Sequence, residues 1–561
     1  MADVHSPPVS SRPSLYTIVT LLCIAVIVFL LVYPLGRMIL DVVVGGQVGD
    51  AFSVFAEPWF LPVVFNTAIV VGLSTLFAVV IGAVLAWINE RTDAQLGPVG
   101  TLLPIIPLFI PNVAMSIGWV FIAAPRVGFV NGWLRQLPEW IAFQINIYSW
   151  AGMIFIYTIN SVPYVYLILA AALRNLDPAL EEASRINGAS LFRTFAKIST
   201  PSVRPALLSA TLLCLITNIG IYSIPAVIGT TAKIDVLTTR IVFLLNRDFP
   251  PRMPEAQMLG VVMLLAIAVL WYFQARSNAS GQFATVGGRA TGGGALEMGR
   301  WKWPARLLTL SYLVATSVLP MVALAIVSLQ PFWTPVINWS VLGIGNYYQT
   351  LFVNGLASAS LRNSLMFASI GSVIAMFIAV VVAIYTVDKT SRIGTIVDAV
   401  IKTSAAIPHL ILGVAFLIAF SGAPFMLSGT AAILIMAFIV MYIAPGSIAA
   451  VSALTQIGRD LREASYVNGA DEGRTVRKIM IPLAMPGFIA GAAIVFVHMM
   501  GDLSAAALLA GIRNPVVGFA ILSIWEAGTF GVLAAFSMML CIVNIVVIIT
   551  MFGVGRLIRK R

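Results

Sequence analysis

EEASRINGASLFRTFAKISTP, residues 181–201, and REASYVNGADEGRTVRKIMIP, residues 462–482, are one polar pattern written twice. Glu182 pairs with Glu463, Gly188 with Gly469, Ile198 with Ile479 and Pro201 with Pro482, each 281 positions apart. Pro205 and Pro486 carry that register past the motif. Register held over such a stretch marks an internal duplication, so the chain is read as two related halves.

The physics of one copy predicts two short helices set at an angle. Asp177-Pro178 reads as a helix start, with Asp as N-cap and Pro at the first helical position. Glu181 and Glu182 follow near the positive end of the helix dipole. Asn187-Gly188 reads as a stop, because Asn and Gly tolerate the left-handed cap conformation. Ser190, matched by Asp471, caps a second helix in which Leu191, Phe195 and Ile198 share one face. Arg193 and Lys197, matched by Arg474 and Lys478, fall on another face, and Pro201 is expected to end the helix.

The surroundings of the two copies are apolar. Of 561 residues 60% are hydrophobic and only 10% charged, where soluble domains carry about 25% charged residues. This composition excludes a water-soluble fold and predicts an all-α polytopic membrane protein embedded in a lipid bilayer. Cys23, Cys214 and Cys541 lie in apolar runs and read as packing residues. Histidine occurs only at 5, 409 and 498, which leaves no metal-ligand cluster. The net charge of +11 is explained by membrane orientation, and nothing resembles a nucleic-acid module.

Residues 1–14 read as a polar tail, and Leu15–Leu35 as a first, uncleaved spanning helix. Further apolar runs fall near 61–87, 101–124, 149–173, 203–228 and 257–275, forming with the first a repeat over 15–276. Residues 277–305 read as a Gly-rich linker. No G-x-x-x-x-G-K-[ST] occurs there or elsewhere, so no phosphate-binding loop is visible. Runs resume near 306–330, 361–387, 399–421, 429–452, 485–508 and 531–555, the second repeat over 306–561. Twelve helices are expected, six in each half. Asn66-Thr67 matches Asn363-Ser364, and Ile110-Pro111 matches Ile407-Pro408, both at an offset of 297. The first half therefore holds 16 extra residues before Glu182, placed in the loop 130–146 with Trp133 and Trp140 at the membrane interface.

An even helix number gives both halves the same orientation, a parallel repeat. With the N-terminus in the cytoplasm, 24 of the 33 Lys and Arg residues fall inside, together with both polar motifs and both termini. The positive-inside rule favours that topology.

The duplicated motif resembles the EAA loop of ABC importer permeases, with Ser184 and Ser465 in place of the second Ala and Thr200 and Ile481 in place of Leu before Pro. The fused layout and the stretch GDLSAAALLAGIRNPVVGFAILSIWEAGTF, residues 501–530, are most similar to the ferric-iron permeases of the bacterial inner membrane. Fused permeases for thiamine and 2-aminoethylphosphonate look much alike, and polyamine permeases are a further alternative. The resemblance implies the type I ABC importer permease fold and alternating access. A periplasmic substrate-binding protein would deliver cargo. Two cytoplasmic ABC ATPase subunits would bind ATP and Mg, leaving this chain with no cofactor and no catalytic residues of its own. ATPase docking would fall on Glu182, Ala183, Ser184, Asn187 and Gly188, and on Glu463, Ala464, Ser465, Asn468 and Gly469. An ion-driven secondary transporter also suits twelve helices, but its spans would need more ionisable residues and the repeated motifs would have no task. A membrane enzyme or scaffold lacks an active-site cluster.

Within the spans polar groups are few. His498 and Asp502 fall one helical turn apart in the eleventh helix, with Ser504 just beyond. A charge at membrane depth costs about 2.5–3.5 kcal/mol, so it faces a cavity or partner, here a path for a cationic or metal-bearing cargo. The alternative is that Asp502 sits at the outer end of its helix, solvated or capping. Asn218 and Gly220 form the matching stretch, and Gly220 aligns with Gly501. The glycines mark either a break lining the path or close helix packing. Pro111 and Pro408 are expected to kink the third helices, placing Asn112 and His409 at the path or against a neighbour. Asn66 and Asn363 are expected to bond between helices.

Overall fold

Backbone polar groups in hydrocarbon must be satisfied within their own segment, so long apolar runs become helices. In a computed structural model the protein is described over residues 15–44, 48–138, 143–280, 295–388 and 392–559. The expected tail 1–14, Trp140, residues 281–294 of the Gly-rich linker and the last two residues lie outside them. Among the described residues nine helices are long and apolar enough to cross a membrane, and three bent pairs raise that number to as many as twelve. The residues form no β-sheet, only two isolated bridges.

The third helix of each half differs from the expected kink. Leu103–Phe109 and Asn112–Ala123 meet at 103° about Pro111, and Ala399–Ala406 and His409–Ser421 meet at 104° about Pro408. A missing N–H and a clash with the preceding turn break the helix outright where the two legs have separate packing partners. Proline acts less strongly in the polar motifs. Pro201 and Pro482 do not end their helices. Each follows a π-turn, Phe195–Ser199 and Val476–Met480, whose wider winding precedes the proline. In the first half the chain turns two residues later, by 77°, and in the second it runs on from Ile481 to Met500.

The halves exchange their first helices. Leu15–Val44 packs on His409–Ser421 of the second half, with Tyr33 and Phe420 ring centroids 5.7 Å apart. Conversely, Leu319–Leu329 packs on Asn112–Ala123 of the first half. A Cβ at Gly118 would stand 2.6 Å from Pro320, and Trp119 donates from Nε1 to the Ala315 carbonyl at 3.1 Å. Within each half the second, fourth and fifth helices pack on one another.

Two apolar helices that the run-based reading left as loop, Leu237–Asn246 and Val517–Glu526, follow the fifth helices. The Asn66-Thr67 and Asn363-Ser364 pairs hold their starts. Asn66 donates to the Asp235 carbonyl and Asn363 to the Pro515 carbonyl, both at 2.9 Å, while Thr67 and Ser364 accept from the N–H groups of Leu237 and Val517. In the loop 130–146, Asn131 is buried and ties Ala124 to Ile145, and Trp133 is exposed.

The described end of the linker is clasped to the first half. Leu296 bridges to Thr92, the Met298 N–H reaches the Asp93 carboxylate at 3.0 Å, and Lys302 pairs with Asp93 at 2.9 Å. Slight desolvation pushes the Asp93 carboxyl up, but the Met298 N–H, the Lys302 ammonium and the Arg306 guanidinium together hold it below its usual value.

Candidate functional site: a cavity between the halves and two exposed loops

A cavity of about 340 Å³ lies where the broken helices of the two halves meet. Its walls are built by reciprocal contacts. A Cβ on Gly220 would stand 2.6 Å from the Pro408 ring, and one on Gly501 3.3 Å from Pro111. The fifth helix ends at Ile219 in one half and at Met500 in the other, each capped by its glycine. Break and close packing, open alternatives from sequence, are here one feature: the helix stops where the other half's proline presses on it.

Gly220, His498, Gly501 and Asp502 line the cavity, as do Asn112 and His409. Asn218 does not. It is buried beside the cavity, accepting from Ser161 at 2.9 Å and donating to Thr75 at 3.2 Å, and so joins three helices. Asp502 is only 6% exposed, which excludes a solvated helix end. It does cap, since its Oδ1 accepts the Ala505 N–H at 2.7 Å. Its Oδ2 accepts from the Tyr442 hydroxyl at 2.6 Å and lies 3.4 Å from His409 Nδ1. The Tyr442 ring stacks on His498 at 5.8 Å and meets His409 edge-on at 4.7 Å. Tyr442 was missed from sequence because a tyrosine in an apolar run carries no local signal. No group of three or more His, Cys, Asp or Glu among the described residues has the arrangement to hold a metal ion.

The polar motifs form a second region. Pro178–Ile186 starts at Asp177, whose side chain accepts the Ala179 N–H, and ends at Gly188 with φ +78°. Arg459–Val467 ends at Gly469, again with φ +78°. Asn187 and Asn468 each donate to the carbonyl four residues back, of Ala183 and Ala464, at 2.7 Å. Ser184 bonds Thr194 at 3.1 Å and Ser465 bonds Thr475 at 2.8 Å, closing each loop across its two helices. Glu182, Ala183, Glu463 and Ala464 are exposed, and so are the apolar Ile186 and Val467, at 85% and 87%.

Glu181 stands in the first turn of its helix, as the sequence placed it, and there makes contacts that the sequence did not reveal. It is buried, bonded by Arg91 Nη2 at 2.6 Å and by the Ser199 hydroxyl at 2.5 Å. Arg91 also donates to the Leu176 carbonyl, fixing the first loop to the end of the second helix.

Two parallel helical repeats around a shared cavity define a multi-pass membrane transporter. The chain belongs to the family described as binding-protein-dependent transport system inner membrane component, which matches residues 74–279 and again 371–561. It is an ABC importer permease with two permease units in one polypeptide. It is similar to the ferric transport system permease protein FbpB of Actinobacillus pleuropneumoniae, 24% identical over 540 residues, covering 94% of this chain and 76% of that protein. It is similar also to the putative ferric transport system permease protein FbpB 1 of Haemophilus influenzae, 25% identical over 507 residues, covering 87% and 77%. The spermidine/putrescine transport system permease protein PotB of Escherichia coli is 25% identical over 228 residues, 40% of this chain and 81% of that protein. Among solved structures, a chain of a bacterial alginate ABC transporter in complex with alginate pentasaccharide-bound periplasmic protein matches 48% of this chain and 96% of its own length, at 20% identity and a TM-score of 0.39.

Proposed function

We propose that this permease moves ferric iron from periplasm to cytoplasm across the bacterial inner membrane, with both termini cytoplasmic. The observation that carries the cargo reading is reach. The relatives named for ferric transport match nearly the whole fused chain, whereas the polyamine relative matches 40% of it. A periplasmic binding protein delivers the iron to the outer face. Two ATPase subunits, which hold ATP and Mg, seat on the exposed loops at Glu182–Gly188 and Glu463–Gly469. Exposed apolar residues on loops of fixed geometry support this role, because a polar loop with no partner gains nothing by exposing Ile186 and Val467. The chain itself supplies a path and no catalysis. Closure of the ATPase pair draws the loops together and turns the cavity outward, and hydrolysis reverses it.

The test is ATPase activity of the reconstituted complex, with its binding protein loaded in turn with ferric iron, thiamine, putrescine and 2-aminoethylphosphonate. Stimulation by the iron-loaded form alone is the expected result. Stimulation by another form reassigns the cargo. Uptake driven by a proton or sodium gradient, with no ATPase subunit bound, overturns the proposal.

A further inference from the structure

We propose that the Asp502 carboxylate, framed by Tyr442, His409 and His498, is the cargo contact of the pathway and selects small cations. This inference rests on the chain being an importer permease. The duplication supplies an internal control. At an offset of 281, Tyr442, His498 and Asp502 correspond to Ser161, Thr217 and Ile221, and at 297 His409 corresponds to Asn112. Both halves break their fifth helix at the same glycine, yet the first half does so with Ile221 where the second has Asp502. The break therefore does not require a carboxylate. A charge kept at this depth against a cost of about 2.5–3.5 kcal/mol serves something other than the bend.

The surroundings fix the sign of the ligand. Among the described residues Asp502 is the one acid lining the cavity, and that lining contains no Lys or Arg. An anionic cargo would meet a carboxylate with no fixed cation to offset it. A cation would meet a carboxylate whose remaining oxygen lone pairs are unused by the Tyr442 and Ala505 bonds. The contact with His409 is the long one, so an entering cation displaces the imidazole and leaves the short Tyr442 bond in place. The cavity takes an ion with part of its water shell or a small organic cation.

The experiment uses cells carrying the complete transporter with the wild-type chain, D502N or D502E. Uptake of labelled ferric iron, putrescine and 2-aminoethylphosphonate is measured at matched membrane levels of the chain. The wild type takes up a cation, D502N lowers that uptake by about tenfold or more, and D502E keeps it within about threefold. Wild-type rates in D502N overturn the inference. If D502N does not accumulate in the membrane, D502E decides, and loss of uptake at a normal membrane level counts against a charge contact. Uptake of putrescine and not iron, lost in D502N, sinks the iron reading and supports the cation site. Uptake of the phosphonate alone sinks both.

Discussion

A φ of +78° at Gly188 and again at Gly469 is a demand that side chains and proline meet badly. Proline is locked near −65° and has no N–H, whereas the Gly188 N–H bonds the Arg185 carbonyl and the Gly469 N–H that of Tyr466. Gly188→Pro or Gly469→Pro should therefore leave the chain inserted at normal levels while abolishing ATPase-coupled uptake; undiminished uptake in either variant would remove the loops from the coupling role. The two glycines were legible because a stop after a short polar helix has a local signature. The serines four residues earlier were not. Ser184 and Ser465 look in sequence like mild departures from Ala, and only the folded hairpin brings them to Thr194 and Thr475. At the cavity the glycines differ in room. A Cβ on Gly220 stands 2.6 Å from the Pro408 Cβ, while one on Gly501 stands 3.3 Å from Pro111. Gly220→Ala should consequently lower the detergent Tm more than Gly501→Ala; equal shifts would mean that the two contacts relax alike.

At the scale of elements, the first polar loop is held to the second helix by a buried ion pair, and its removal should be costly. Breaking one partner of such a pair costs about 3–5 kcal/mol, because the other charge is left buried. Arg91→Met should release the first loop, seen as faster proteolysis between Leu176 and Gly188, and the exchange R91E/E181R should restore much of the protection. Failure of the exchange to recover any of it would show that the contact is steric. The pair was hidden in sequence because its members lie 90 residues apart, yet the duplication hints at it. Arg462 stands at the position of Glu181, and Asp388 at that of Arg91, so the charges are written in reverse order in the second half. The broken third helices were half legible. Proline announced a disturbance at 111 and 408, but a bend beyond 100° depends on what each leg packs against, and that information sits in the opposite half.

Across the whole molecule, composition and duplication made the twelve-segment helical plan readable, because both are carried by many residues. The clasp between the linker and the first half was unreadable, being built from a handful of groups. Its pH behaviour follows from Asp93. A carboxyl held below its usual value adds stability above the unfolded pKa of about 3.9 and loses it as pH falls through the folded value. Amide exchange at Met298, corrected for intrinsic rate, should be slow at neutral pH and rise below about pH 4, and D93N should show the fast rate at neutral pH. Slow exchange in D93N would place the restraint elsewhere, in the Leu296 bridge. The exchange of first helices has a consequence for how the chain is made. Leu15–Val44 is synthesised well before its partner His409–Ser421, which comes nearly four hundred residues later. Its mate-facing side, where Phe29 and Tyr33 meet Phe420 in the finished protein, has to wait in lipid or beside a chaperone until the second half arrives. Fusion into one polypeptide keeps that late partner tethered, so completion of the first half does not depend on the two halves finding each other by diffusion in the membrane.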